Sequence, residues 1–166
     1  MMQDTEHNRE KALAGLNAYA NFWGTIRRED IEHARSLIAD DMLFIDPFSE
    51  IHGADGFIRM LHHMFEQCHD PRFVMRQLGL DTGGPDSDGC YNGYILWDFA
   101  FEMKPGGKTT EITGMSAIRI TGDCLIAAHV DHWDSGQQLL RNIPVLGFLV
   151  NQVLRMLAAE PQFRRP

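Results

Sequence analysis

The sequence predicts an α+β fold in which a curved antiparallel sheet wraps over three N-terminal helices, with an extra helix at the C-terminus. Three observations carry this. Apolar residues recur at helical spacing through the first 70 residues, then change to period two after Pro71. The period-two segments are separated by tight Gly-rich turns, which joins them as hairpins. Helices and strands are therefore segregated rather than alternating, which excludes an α/β arrangement.

Residues 8–27 read as the first helix, with Ala12, Leu13, Leu16, Tyr19, Ala20, Trp23 and Ile26 on one face. Asp30 is placed to cap a second helix over 31–39. Met42 to Ile45 reads as a short strand that stops at Asp46-Pro47. Gly53 to His69 holds a third helix, with Phe57, Ile58 and Leu61 inward. Phe73 to Leu80 is a plausible strand, and Tyr91 to Met103 is the clearest long one, alternating Ile95, Trp97, Phe99 and Phe101 with more polar neighbours. Lys104-Pro-Gly-Gly-Lys is a hairpin turn into a strand over Thr109 to Ile120. Thr121-Gly-Asp is a second turn, into a last strand over Leu125 to Asp134. Residues 139–158 read as a final helix with Pro144 in or near its first turn.

The chain has 166 residues, suited to one domain with a core and a pocket. Its formal net charge of −8 argues against nucleic acid and against an anionic membrane surface. Three cysteines without C-x-x-C spacing predict neither a disulfide framework nor a zinc knuckle, and a reduced cytoplasm fits. The polar N-terminus lacks a signal-peptide core, and no apolar run is long enough to span a bilayer.

Asp46 is the first candidate for chemistry. It ends an apolar strand among Phe44, Ile45 and Phe48. A carboxylate in apolar surroundings needs a partner or takes up a proton, which suits a general acid or base. Asp-Pro is equally a turn opener whose side chain bonds its own backbone. The apolar segment 143–157 reads as a lid, a subunit contact or an interfacial helix; the last choice is disfavoured by few basic residues and by Asn151 and Gln152.

Ala39-Asp-Asp, Asp46-Pro47-Phe48 and Ile51-His52-Gly53, followed by a helix, resemble the ketosteroid isomerase and SnoaL-like branch of the nuclear-transport-factor-2-like superfamily. Element order extends the likeness over residues 10–135, and close matches lie within 38–58. The resemblance implies a cone-shaped α+β fold with a deep apolar pocket, often dimeric through the sheet. It also implies work without cofactor or metal on a small apolar organic ligand. The scaffold serves isomerases, cyclases, dehydratases, epoxide hydrolases and noncatalytic binders, so it does not fix the reaction.

By this resemblance Asp46 matches the isomerase's general base. The tyrosine that steadies the enolate oxygen matches Phe22, which has no hydroxyl, while Tyr19 lies one turn away. The second oxyanion donor matches Ser116, and a pocket tryptophan matches Trp133. These replacements count against steroid isomerase activity. Strand alternation puts His129 and Asp131 on the same side as Trp133. A one-residue bulge would instead send His132 and Asp134 inward. The expected site is Asp46, His129 and Asp131 as acid–base residues, with Tyr19, Phe22, Trp97, Phe99, Phe101, Ser116 and Trp133 contacting the ligand. Expected functions are an isomerase- or cyclase-type proton transfer on a carbonyl compound, a noncatalytic lipophilic-ligand binder or accessory dimerisation domain, or a hydrolase or dehydratase, in a homodimer.

Overall fold

The computed structural model describes residues 2–143 and 145–157. The element order is α1 (Met2–Thr25), a 3₁₀ helix (Arg28–Ser36), β1 (Ile38–Ile45), β2 (Glu50–His52), α2 (Ala54–Gln67), β3 (His69–Leu80), β4 (Tyr91–Glu102), β5 (Thr109–Ile120) and β6 (Ile126–His132), then α3 (Ser135–Gln138), a 3₁₀ turn (Leu140–Asn142) and α4 (Leu146–Leu157). Among the described residues no helix is long and apolar enough to cross a membrane. The chain divides into two compact units, Met1–Trp133 and Asp134–Pro166.

The first unit is the expected α+β arrangement, a curved, unclosed six-stranded sheet over helices. Strand order is β2-β1-β6-β5-β4-β3, with β3, β4 and β5 forming a long antiparallel meander. One pairing departs from the all-antiparallel expectation. β1 runs parallel to β6, with Phe44 opposite His129 and Ile45 opposite Val130. A parallel pair needs a long crossover and leaves no local trace in sequence.

The helices bury Leu16, Tyr19, Ile31, Phe57 and Leu61 against the sheet's inner face, which contributes Met42, Phe44, Ile95, Ile112, Ile118 and Ile120. At about 25 cal/mol per Å² these apolar side chains dominate the stabilisation of the fold. β5 alternates without a break, burying Ile112, Gly114, Ser116, Ile118 and Ile120. This regularity fixes which face each β6 partner presents.

Several element boundaries differ from the expectations. The segment predicted as a helix over 31–39 is a 3₁₀ helix that starts at Arg28, with Arg27 rather than Asp30 at its cap. β1 already begins at Ile38, because Ile38, Met42 and Phe44 are needed by the sheet and the core. The three residues Glu50–His52 form a strand that pairs back onto Leu43–Ile45. Gly53, at φ 79°, then turns the chain into α2 and donates its N–H to the Met42 carbonyl at 2.8 Å. Leu13, expected on the buried face of α1, is 39% exposed.

In the second unit the expected continuous helix is broken. Asp134 caps α3 by accepting the Gln137 N–H at 2.9 Å, and the helix ends after Gln138. Val145 takes a positive φ of 67°, which no helix accommodates, and α4 starts only at Leu146. Pro144 and residues 158–166 lie outside the described residues. α4 exposes Phe148, Leu149, Val153, Met156 and Leu157.

Candidate functional site: a buried polar chain across the sheet

Three strands and one helix bring five polar groups into line on the inner face. Strand register places Ser116 opposite Asp131 and beside Ile95, and places His129 opposite Ile118 and Phe44. Trp97 lies opposite Gly114, one row further along. The Trp97 indole N–H donates to Ser116 Oγ at 2.8 Å, and the Ser116 hydroxyl donates to Asp131 Oδ1 at 2.6 Å. Asp131 Oδ1 also meets His129 Nε2 at 2.7 Å, and His129 Nδ1 meets the Tyr19 hydroxyl, from α1, at 2.7 Å.

The direction of these bonds follows from what each group can do. An indole N–H only donates, so Ser116 accepts it and gives its own proton to Asp131. A carboxylate oxygen then accepts from both Ser116 and His129 Nε2–H. His129 Nδ1 is left to accept the Tyr19 O–H when the ring is neutral, or to donate to the Tyr19 oxygen when it is an imidazolium. The Trp97–Ser116–Asp131 arm therefore has one direction, while the Tyr19–His129 bond can run either way, so a proton can pass between Asp131 and His129 without large movement. Asp131 Oδ2 bonds no group among the described residues, and the Asp131 side chain keeps 15% of its surface exposed. Asp131 is the most exposed of the five groups.

The surroundings of the chain are apolar. His129 is 4% exposed and is boxed by Tyr19, Trp23 and Phe44, with ring centroids 5.6, 5.7 and 5.0 Å away. Burial pushes the Tyr19 phenol well above its usual range; nearby Trp23 opposes this in part, and the Asp131 carboxylate adds to it. Tyr19 therefore stays a neutral phenol at physiological pH. The Trp23 indole N–H is buried and has no acceptor among the described residues.

The other predicted residues divide into two groups. Trp133 is half-buried and packs edge-on against the exposed Phe48 ring at 5.6 Å, next to Asp131 on β6. Phe99 stacks on Phe73 at 4.1 Å and on Phe101 at 4.8 Å, continuing the aromatic wall from Trp97 along β4. Phe22, by contrast, packs on Trp23 and His33 along the groove between α1 and the first 3₁₀ helix. Asp46 sits half-buried in the β1–β2 turn. Its Oδ1 accepts the Phe48 N–H at 2.8 Å, and its own N–H reaches the Ser49 carbonyl at 3.0 Å. That is an Asp-Pro turn tied by its own side chain.

Alternation from Trp133 back to His129 is intact, so His129 and Asp131 face inward and His132 outward. The sheet does carry a bulge in β6. It falls between Ile126 and Ala128, upstream of His129, where the partners shift from Ile120 to Arg119. Trp23, Phe44 and Phe73 also line the chain and its aromatic wall, without a site signal of their own in the sequence. Trp23 was within reach, because it follows Tyr19 by one helical turn. Among the described residues no group of three or more His, Cys, Asp or Glu side chains converges as a metal site.

A curved, unclosed sheet wrapped over helices in this element order is the fold of the nuclear-transport-factor-2-like class of α+β proteins. Residues 16–129, more than half of the chain, match the SnoaL-like domain, and the chain belongs to that family. No curated protein matches the sequence. Solved structures agree on the fold. A steroid delta-isomerase from Pseudomonas aeruginosa superposes with TM-score 0.54 at 18% identity, covering 88% of this chain and 93% of its own. SalBIII, an epoxide hydrolase/cyclase-like enzyme of pyran-ring formation in the polyether salinomycin, gives 0.61 at 10% identity, over 75% of this chain and 92% of its own. A Mycobacterium tuberculosis protein in complex with estradiol-17beta-hemisuccinate gives 0.58 at 16% identity, over 75% and 94%.

Proposed function

We propose that this protein is a cofactor-free enzyme that moves a proton on a small, mostly apolar carbonyl compound, with Asp131 as the acid–base group. The observation that carries the reading is the continuous chain from Trp97 through Ser116, Asp131 and His129 to Tyr19. Two donors converge on Asp131 Oδ1 and leave Oδ2 free to take a proton from a bound ligand. His129 then supplies charge compensation beside the carboxylate, and Tyr19 sets which nitrogen carries its proton. Trp97, bonded to Ser116, and Trp133, two residues after Asp131, are the aromatic side chains that would hold an apolar ligand near this carboxylate. Neighbours in fold that act on a steroid and in polyether cyclisation, or that hold a steroid ester, support a ligand of this class.

Asp46 remains in the proposal as a ligand-contacting acid at the β1–β2 turn, secondary to Asp131 because one of its oxygens already closes the turn. The reading includes a homodimer, for which the exposed Val74, Tyr94 and Met115 on the sheet's outer side offer an apolar face. Turnover of a panel of enones, epoxides and hydroxy-ketones tests the assignment. D131N should fold and lose turnover by at least about a hundredfold, while D46N should lose less. Full activity in D131N would overturn it.

A further inference from the structure

We propose that Gly114 is a positioning residue, whose missing side chain seats Trp97 over β5 so that the indole N–H holds Ser116 against Asp131. The inference rests on the site reading above only for its catalytic consequence; the geometry stands alone.

Gly114 is buried on the inner face of β5, directly opposite Trp97 on β4 and two residues before Ser116. Its backbone is in no conformation reserved for glycine, so space, not flexibility, explains it. A Cβ at this position would lie 2.5 Å from both Cη2 and Cζ2 of Trp97 and 3.1 Å from Trp133 Cβ. The Trp97 ring thus occupies the volume that any other residue at 114 would fill. From there its Nε1 reaches Ser116 Oγ at 2.8 Å.

Carbon atoms in ordinary contact sit about 3.5–4.0 Å apart. Adding a methyl at 114 therefore requires the indole to withdraw by roughly 1 Å at its far edge. Trp133 Cβ, 3.1 Å from the added methyl, crowds the same position from a second side. A shift of that size takes the N–H beyond hydrogen-bond range of Ser116. Ser116 then loses the donor that fixes its hydroxyl toward Asp131, and His129 feels the change through their shared oxygen, Asp131 Oδ1.

A double-mutant cycle on the full chain tests this without any substrate, so its outcome is separate from that of the turnover assay. The variants are G114A, W97F and G114A/W97F. The readouts are hydrogen exchange of the Trp97 indole N–H and the ring ¹⁵N shifts of His129. G114A should speed indole exchange about tenfold or more and move the His129 shifts to the W97F pattern. The double variant should match W97F alone, because phenylalanine lacks the ring atoms that clash and the N–H that bonds. If G114A fails to fold, G114A/W97F should fold and show the W97F pattern. Unchanged exchange and shifts in G114A, additive shifts in the double variant, or failure of both 114 variants to fold would overturn the proposal.

Discussion

Replacing Ser116 with alanine removes one oxygen that serves two partners. Ser116 is 1% exposed, so no water stands ready to replace it. The O–H to Asp131 Oδ1 at 2.6 Å is charge-assisted, a class worth about 1.5–3 kcal/mol. Asp131 keeps some contact with solvent, which moves this toward the lower figure. The Trp97 N–H, on a side chain only 7% exposed, becomes an orphan at a further cost of about 1–3 kcal/mol. S116A should therefore lose roughly 2–4 kcal/mol in urea unfolding at pH 7, with the m-value unchanged. In a W97F background the orphan never arises, and the same substitution should cost roughly 1–3 kcal/mol less. A loss below about 0.5 kcal/mol, or an equal loss in both backgrounds, would refute the bonding scheme.

Two further outcomes follow from burial. Tyr19 is neutral in the folded chain well above pH 10.0, while in the unfolded chain it ionises near that value. Its contribution to stability is complete below pH 10 and declines above it, by about 1.4 kcal/mol per pH unit; Y19F should show a shallower alkaline loss in chemical unfolding between pH 10 and 11. Burial pushes the Cys68 thiol up to about 11, so its alkylation, followed by mass spectrometry, should be slow at pH 8 and keep accelerating toward pH 11. A rate already at its plateau near pH 9 would contradict that.

Much of the fold was legible where one physical signal dominated. β4 shows its alternation because one face carries Ile95, Trp97 and Phe101 into the core. The last strand gave the facing of His129 and Asp131 from Trp133, since alternation needs only an anchor and an unbroken stretch. The start of β1 was not legible. Ile38-Ala-Asp-Asp carries a helix-end composition, and only pairing with a strand about 90 residues later makes it extended. The Tyr19–His129 bond spans 110 residues and depends on how α1 is laid across the sheet, which local pattern does not encode. Gly114 was invisible for a related reason: its meaning lies in the ring opposite. Asp46 was ambiguous because the same residue type suits a base and a turn, and the turn bond to Phe48 appears only in three dimensions.

The central claim is that Asp131 exchanges a proton with the ligand, supported by His129 and Tyr19. Exchange of α-protons for solvent deuterium, followed by NMR on ketones and enones that bind the protein, reads that step directly whether or not a product forms. The wild-type chain should accelerate exchange, and D131N should bind the same compounds yet lose at least about a hundredfold of that acceleration. Equal exchange by D131N and wild type, or none by wild type with any compound it binds, would contradict the account.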